Sequence, residues 1–180
     1  GGVQYSGAVQ ELREFAETYG IPVVETIAGR ANMLATHPLN IGPIGVTGSN
    51  SANNIAEKAD VILAIGTRLQ DFTTGSWTAF AQDAKFVSIN AARFDAHKHL
   101  SLPVVADAKV AINSLHEALD GFQTAPDWTA NAQKERHAWE DYVALNVSPD
   151  NGPNSYAQII GVVNELCDPR DRIVTAAGGL

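Results

Sequence analysis

The stretch GTRLQDFTTGSW, residues 66 to 77, gathers side chains able to hold a phosphorylated ligand. Arg68 offers a two-pronged guanidinium for phosphate, Asp71 could hold that fork or a ribose, and Thr73 and Thr74 add hydroxyls. Gly66 and Gly75 leave room for a backbone to approach closely. The stretch follows the apolar run DVILAI, so it should emerge at the carboxyl end of a buried strand, where open parallel sheets bind their ligands. A structural reading stands beside this one: Arg68 pairs with Asp71 to organise the loop, and Trp77 belongs to the core.

GPIGVTGSNSAN, residues 42 to 53, is a second candidate, with spaced glycines ahead of a helix whose free N–H groups could receive an anion. It is not the dinucleotide pattern G-x-G-x-x-G, and turn geometry alone accounts for such glycines. His97 and His99 with Asp95, in DAHKH, suggest a metal, but three ligands fall short of a structural zinc site and a solvated loop is expected. His37, before Pro38, reads as a turn residue, and His116 and His137 fall on polar helix faces. Cys167 has no local histidine partner and reads as a small core residue. No G-x-S-x-G, H-E-x-x-H or Walker loop occurs, and no pair of catalytic carboxylates stands out, so no catalytic residue and no metal ligand is assigned.

These residues need a scaffold, and the pattern predicts α/β. A helix is expected over about 6 to 19, stopped by Gly20 and Pro22, followed by a short buried strand in IPVVET. A long loop then runs to about Ser49, with a short helix over roughly 51 to 59. DVILAIG, KFVSIN and PVVA are the next strands, the first a continuous apolar run of the kind a parallel sheet covered on both faces requires. Asp107 caps a helix striped with Ala108, Ala111, Ile112, Leu115 and Leu119. The alternation implies a doubly wound, mainly parallel, Rossmann-like sheet. Three regions are expected: a Rossmann-like domain over 1 to 121, a helical linker over 122 to 154, and the truncated start of a further α/β lobe over 155 to 180. The linker helix, about 127 to 145, carries Trp128 and Trp139 on one side. Ser155 and Gln158 form a capping box for the next helix, which feeds a final strand in RIVTAA.

Composition limits the partners. Twenty acidic against twelve basic residues give a formal charge of −8 in 180 residues, which recommends neither nucleic acid nor an anionic membrane. The single cysteine excludes an internal disulfide framework and fits a reducing, cytoplasmic setting. Opening on GGVQYSGA and closing on RIVTAAGGL, the chain reads as an interior piece of a longer protein.

GGVQYSGA, ELREFAETYGIPVVET, HPLNIGPIGVTGSNSAN, ADVILAIGTRLQDFTTGSW and KFVSINAARFDAHKH, in that order, resemble the central domain of the thiamine diphosphate enzymes, the family that includes acetohydroxyacid synthase. The resemblance covers nearly the whole chain. It implies a three-lobed parent whose cofactor-activating carboxylate lies in a preceding lobe and whose G-D-G…N magnesium motif lies in a following one. The branch it points to is a hydrolase that opens a C–C bond of a cyclic 1,2-dione in myo-inositol breakdown, acting as a homodimer or homotetramer. A flavin-bearing lyase or transferase is the enzymatic alternative. A stand-alone nucleotide-binding module, or a lobe devoted to assembly, are the others. The resemblance sets Gly66, Arg68, Asp71, Thr74 and Gly75 against FAD in flavin-bearing relatives. A vestigial cradle is expected here, because dione hydrolysis is redox-neutral. Gly178, Gly179 and Leu180 match the turn that approaches the diphosphate of thiamine diphosphate in the family.

Overall fold

A computed structural model describes residues 1 to 148, 152 to 168, 170, 171 and 173. The chain divides into two compact units, Gly1–Trp139 and Glu140–Leu180.

The first unit is built on parallel strands. β1 (Val23–Glu25) pairs with β2 (Asn40–Pro43), and β4 (Lys85–Asn90) lies between β3 (Val61–Ile65) and β5 (Leu102–Val105). Both faces of β3 are covered, as its unbroken apolar run requires. Leu63 and Ile65 pack with Val3, Leu12, Phe15, Tyr19 and Ile112, from the short turn α1 (Gly2–Tyr5), α2 (Val9–Tyr19) and α6 (Ala108–Ala118). Ile62 points the other way, towards Ile44, Phe80 and the Ala52 and Ala56 stripe of α3 (Asn50–Lys58). The alternation of side chains along an extended strand thus serves two helical layers, the doubly wound arrangement expected from the sequence.

Two expectations are corrected. The long loop drawn from β1 to Ser49 contains β2, whose sequence NIGP lacks the β-branched run that marks a strand. Tertiary pairing makes it one: Val24 is in register with Gly42 and Glu25 with Pro43, after an irregularity at Val23/Val24. The first helix begins at Val9, not Ser6, because residues 2 to 5 form a turn of their own and Ala8 is the cap of α2. Other boundaries agree with their local signals. The Asp107 side chain accepts the Lys109 and Val110 N–H groups at 2.9 and 3.2 Å, and Ser49 accepts the Ala52 N–H at 3.2 Å.

The helix expected over about 127 to 145 is α7 (Pro126–Val147). Its first half packs within the first unit. Trp128 and Ala132 meet Ile41 and Ile55, and the Thr129 hydroxyl donates to the Gly20 carbonyl at 2.7 Å. Arg136 donates to the carbonyls of His37 and Ala35. Glu135 accepts from the Asn54 amide at 2.8 Å and the Lys58 ammonium at 2.9 Å, and these two bonds, Asn54's first, hold its carboxyl below the usual carboxylate range. The folded carboxylate is therefore the stronger acid. Its stabilisation is complete above the unfolded pKa and is lost as pH falls through the folded value. Glu135→Gln should then be less stable than the native chain above about pH 5 and converge with it in stronger acid, as measured by urea midpoints across pH. A gap that stays constant with pH would contradict this role.

In the second unit, α8 (Tyr156–Leu166) starts at the expected capping box: the Gln158 N–H donates to Ser155 Oγ at 3.2 Å, and the Ser155 N–H donates to Gln158 Oε1 at 2.7 Å. The Gln158 amide also donates to the Ser148 carbonyl at 2.9 Å. Tyr156, Ile159, Ile160 and Leu166 are exposed. Residues 174 to 180, with most of the expected last strand and the turn Gly178, Gly179 and Leu180, lie outside the described residues.

Candidate functional site

The carboxyl ends of β2 and β3 carry the two glycine-rich loops singled out in the sequence, and the structure packs them against other backbone. Gly66 follows β3 at φ 60° and lies against Gly2. The Gly2 N–H donates to the Gly66 carbonyl at 2.9 Å, and a Cβ on Gly66 would stand 2.6 Å from Gly2 Cα. Gly45, at φ 113°, touches the other half of the same loop: its Cβ would lie 2.5 Å from the Phe72 carbonyl oxygen, which accepts the Val46 N–H at 3.0 Å. Asn53 on α3 clamps the Gly45 peptide from both sides, accepting its N–H and donating to its carbonyl, each at 3.0 Å. These are approaches that any side chain would obstruct. They place Gly45 and Gly66 in close packing between backbone segments of the same chain.

The remaining candidates separate by exposure. Thr74 is fully buried, with its hydroxyl donating to the Asp71 carbonyl at 3.3 Å and accepting the Trp77 N–H at 3.4 Å. Gly75 is the left-handed cap of the short helix α4 (Asp71–Thr74). Asp71 is exposed and takes the Ser76 hydroxyl on Oδ1 at 2.9 Å, so it organises the loop without Arg68. Arg68 is exposed, and its guanidinium meets no partner among the described residues. Of the five, it is the one that presents an unengaged cation at the strand ends. Asn90, at the end of β4, steadies this rim by donating to the Thr67 carbonyl at 3.0 Å.

DAHKH does not converge on a common point. Asp95 Oδ1 is 2.5 Å from Lys98 Nζ, the His97 Nδ1 lies 2.8 Å from the Arg93 carbonyl, and the His99 ring is tilted against that of Trp77, with ring centroids 3.7 Å apart. No group of three or more His, Cys, Asp or Glu able to hold a metal occurs among the described residues. His37 is fixed in one tautomer. Its Nδ1 accepts the Leu39 N–H at 3.1 Å, leaving Nε2 to donate to Glu17 at 2.8 Å. Cys167 is free and half-buried at the end of α8.

Glu25 was not among the residues singled out, yet it organises the strand ends. Only 6% exposed, it accepts the Met33 N–H at 3.1 Å and the Asn40 amide at 3.5 Å, with Arg30 at 3.9 Å. It thereby ties the loop after β1 to the start of β2. A carboxylate at the carboxyl end of a buried strand is the one local sign of it in the sequence. Two shallow concavities lie elsewhere: one beside Tyr19, His116 and Phe122, the other beside Trp77, Phe80, Phe86 and His99. Neither includes Gly66, Arg68, Asp71, Thr74 or Gly75.

Parallel strands with helices on both faces, and glycine-rich loops at their carboxyl ends, define a Rossmann-like α/β lobe. Residues 1–115 match the family described as thiamine pyrophosphate enzyme, central domain, and the chain belongs to that family. Over its whole length it is 39% identical to a 3D-(3,5/4)-trihydroxycyclohexane-1,2-dione hydrolase of Bacillus velezensis, of which it covers 32%. It is 37% identical to 3D-(3,5/4)-trihydroxycyclohexane-1,2-dione hydrolase 1 of Bacillus cereus and 36% identical to the hydrolase of that name from Bacillus anthracis, again over 100% of this chain and 32% of each relative. The chain thus spans about a third of the curated relatives it matches. No helix among the described residues is long and apolar enough to cross a membrane.

Proposed function

We propose that this chain is the central lobe of a thiamine diphosphate-dependent hydrolase that opens a C–C bond of a cyclic trihydroxylated 1,2-dione in myo-inositol breakdown. The observation that carries the reading is identity of 36 to 39% along the entire chain to relatives bearing that hydrolase name. The parent is a cytoplasmic homodimer or homotetramer in which lobes before and after this one hold the cofactor and Mg2+. Thiamine diphosphate supplies the nucleophilic carbon and the electron sink for C–C cleavage. The residues described here contribute architecture: Gly2 against Gly66 and Gly45 against Phe72 hold the strand-end loops as a fixed wall. The turn at Gly178, Gly179 and Leu180 is proposed to approach the diphosphate. FAD is not expected, since dione hydrolysis is redox-neutral.

The test is dione consumption by the purified parent. Its rate should collapse when thiamine diphosphate and Mg2+ are stripped and return when both are restored, while the isolated 180-residue chain stays at the buffer rate. Turnover by the isolated chain, a parent indifferent to cofactor removal, or a yellow parent with bound flavin would each refute a part of the reading.

A further inference from the structure

We propose that His37 is a proton-operated clasp on the entry to β2, closed while its imidazole is neutral and opened when the ring is charged. The turn it serves is short. The Asn40 N–H donates to the His37 carbonyl at 3.0 Å, and Pro38 takes the second position, where its fixed φ suits the turn. Inside that turn the Leu39 N–H donates to His37 Nδ1 at 3.1 Å. A backbone nitrogen can only donate, so the ring nitrogen facing it must hold a lone pair, and the imidazole that satisfies it is neutral with its proton on Nε2. A second proton would go onto Nδ1, and two donors would then face each other.

The consequence reaches beyond the turn. Leu39 is buried, packed with Ala16, Met33 and Val23, and its carbonyl accepts the Val23 N–H at 2.8 Å where β1 and β2 come together. The next residue, Asn40, opens β2 and lends its amide to Glu25. Turning the Leu39 N–H away from the ring therefore disturbs both. The charged side chains that reach this turn and the loop before it are Glu17 and Arg13 from α2 and Arg136 from α7. Glu17 takes the Nε2 proton at 2.8 Å and favours a charged ring, but its side chain is 58% exposed, where an ion pair is weak. Arg136 donates to the His37 and Ala35 carbonyls and Arg13 to the Asn32 carbonyl at 3.0 Å, so both bring positive charge that opposes a further cation. The exposed Glu17 contact does not offset a backbone donor that loses its acceptor beside a buried residue.

Hydrogen exchange at the Leu39 amide of the 180-residue chain, followed by NMR together with the His37 ring resonances, tests this. Between about pH 8 and about pH 5 the protection of that amide, corrected for the intrinsic pH dependence of exchange, should fall roughly tenfold or more as the ring titrates. At the upper pH the ring should show a bare Nδ1 and a protonated Nε2. His37→Asn puts an acceptor oxygen in the place of Nδ1, as in an Asx turn, and cannot be charged, so it should protect Leu39 equally at both ends of the range. His97, exposed just past α5 (Arg93–Ala96), is the control: its Nδ1 lies 2.8 Å from a carbonyl, that of Arg93, and His97→Gln should leave the acid loss at Leu39 intact. Leu39 protection that does not follow the ring's titration in the native chain, a protonated Nδ1 at the upper pH, or an equal acid loss in His37→Asn would each overturn the proposal. The first two need no variant.

Discussion

Gly66→Ala should lower the stability of the first unit by roughly 3 kcal/mol, a fall in melting temperature of about 6 to 12 °C for a domain of this size. Two effects add. The residue sits at φ 60°, where alanine is strained, and the new methyl would lie 2.6 Å from Gly2 Cα and 3.0 Å from the Gly2 nitrogen, both backbone atoms that cannot swing aside. Relief would require the α1 turn to separate from β3, breaking the Gly2 to Gly66 hydrogen bond and loosening Val3 from the Leu12, Phe15 and Ile112 cluster. Thermal melting by circular dichroism measures this. Were Gly66 instead retained to let a nucleotide approach, the variant would melt within about 2 °C of the native chain and lose calorimetric heat with ADP or FAD, the pattern opposite to the one expected.

Removing the Glu25 carboxylate should be nearly as damaging. Glu25→Ala leaves the buried Met33 N–H without its acceptor and the Asn40 amide with one fewer, and opens a void beneath the loop after β1. Together these cost roughly 3 kcal/mol, because a buried donor stripped of its acceptor bears its full desolvation penalty. Arg30, half exposed at 3.9 Å, offers little compensation and little loss. Glu25→Gln keeps one acceptor oxygen and should fall between the two. The difference in urea midpoint between Ala and Gln variants reads the hydrogen bonds apart from the packing. If Glu25→Ala unfolds within about 0.5 kcal/mol of the native chain, the carboxylate is not what ties the loop to β2.

Much of this architecture was legible because its signals are local. The apolar run before Gly66, the Asp107 cap and the Ser155/Gln158 box each specify an element within a few residues, and each element lies where its signal stands. β2 was not legible. NIGP acquires strand geometry only by pairing with β1, and its Ile41 is buried by Ile55 of α3 and by Trp128 and Ala132 of α7, the latter about ninety residues downstream. The glycine loops were legible as glycine loops, but not for what approaches them. Gly66 looks the same in sequence whether its neighbour is a phosphate or Gly2, since either demands the absence of a side chain.

The sequence by itself determined the class: the order of strands and helices, the family, and the residues at the carboxyl ends of the strands. Periodicity and capping are short-range properties of the chain and survive without tertiary information. Tertiary structure alone decided which of those residues face outward. Thr74 turns its hydroxyl back into α4, Asp71 binds Ser76, Gly45 and Gly66 meet backbone, and Arg68 is left exposed. The glycine contacts join segments tens of residues apart, which side-chain type and spacing do not encode, while Thr74 and Asp71 are engaged within the turn of their own loop.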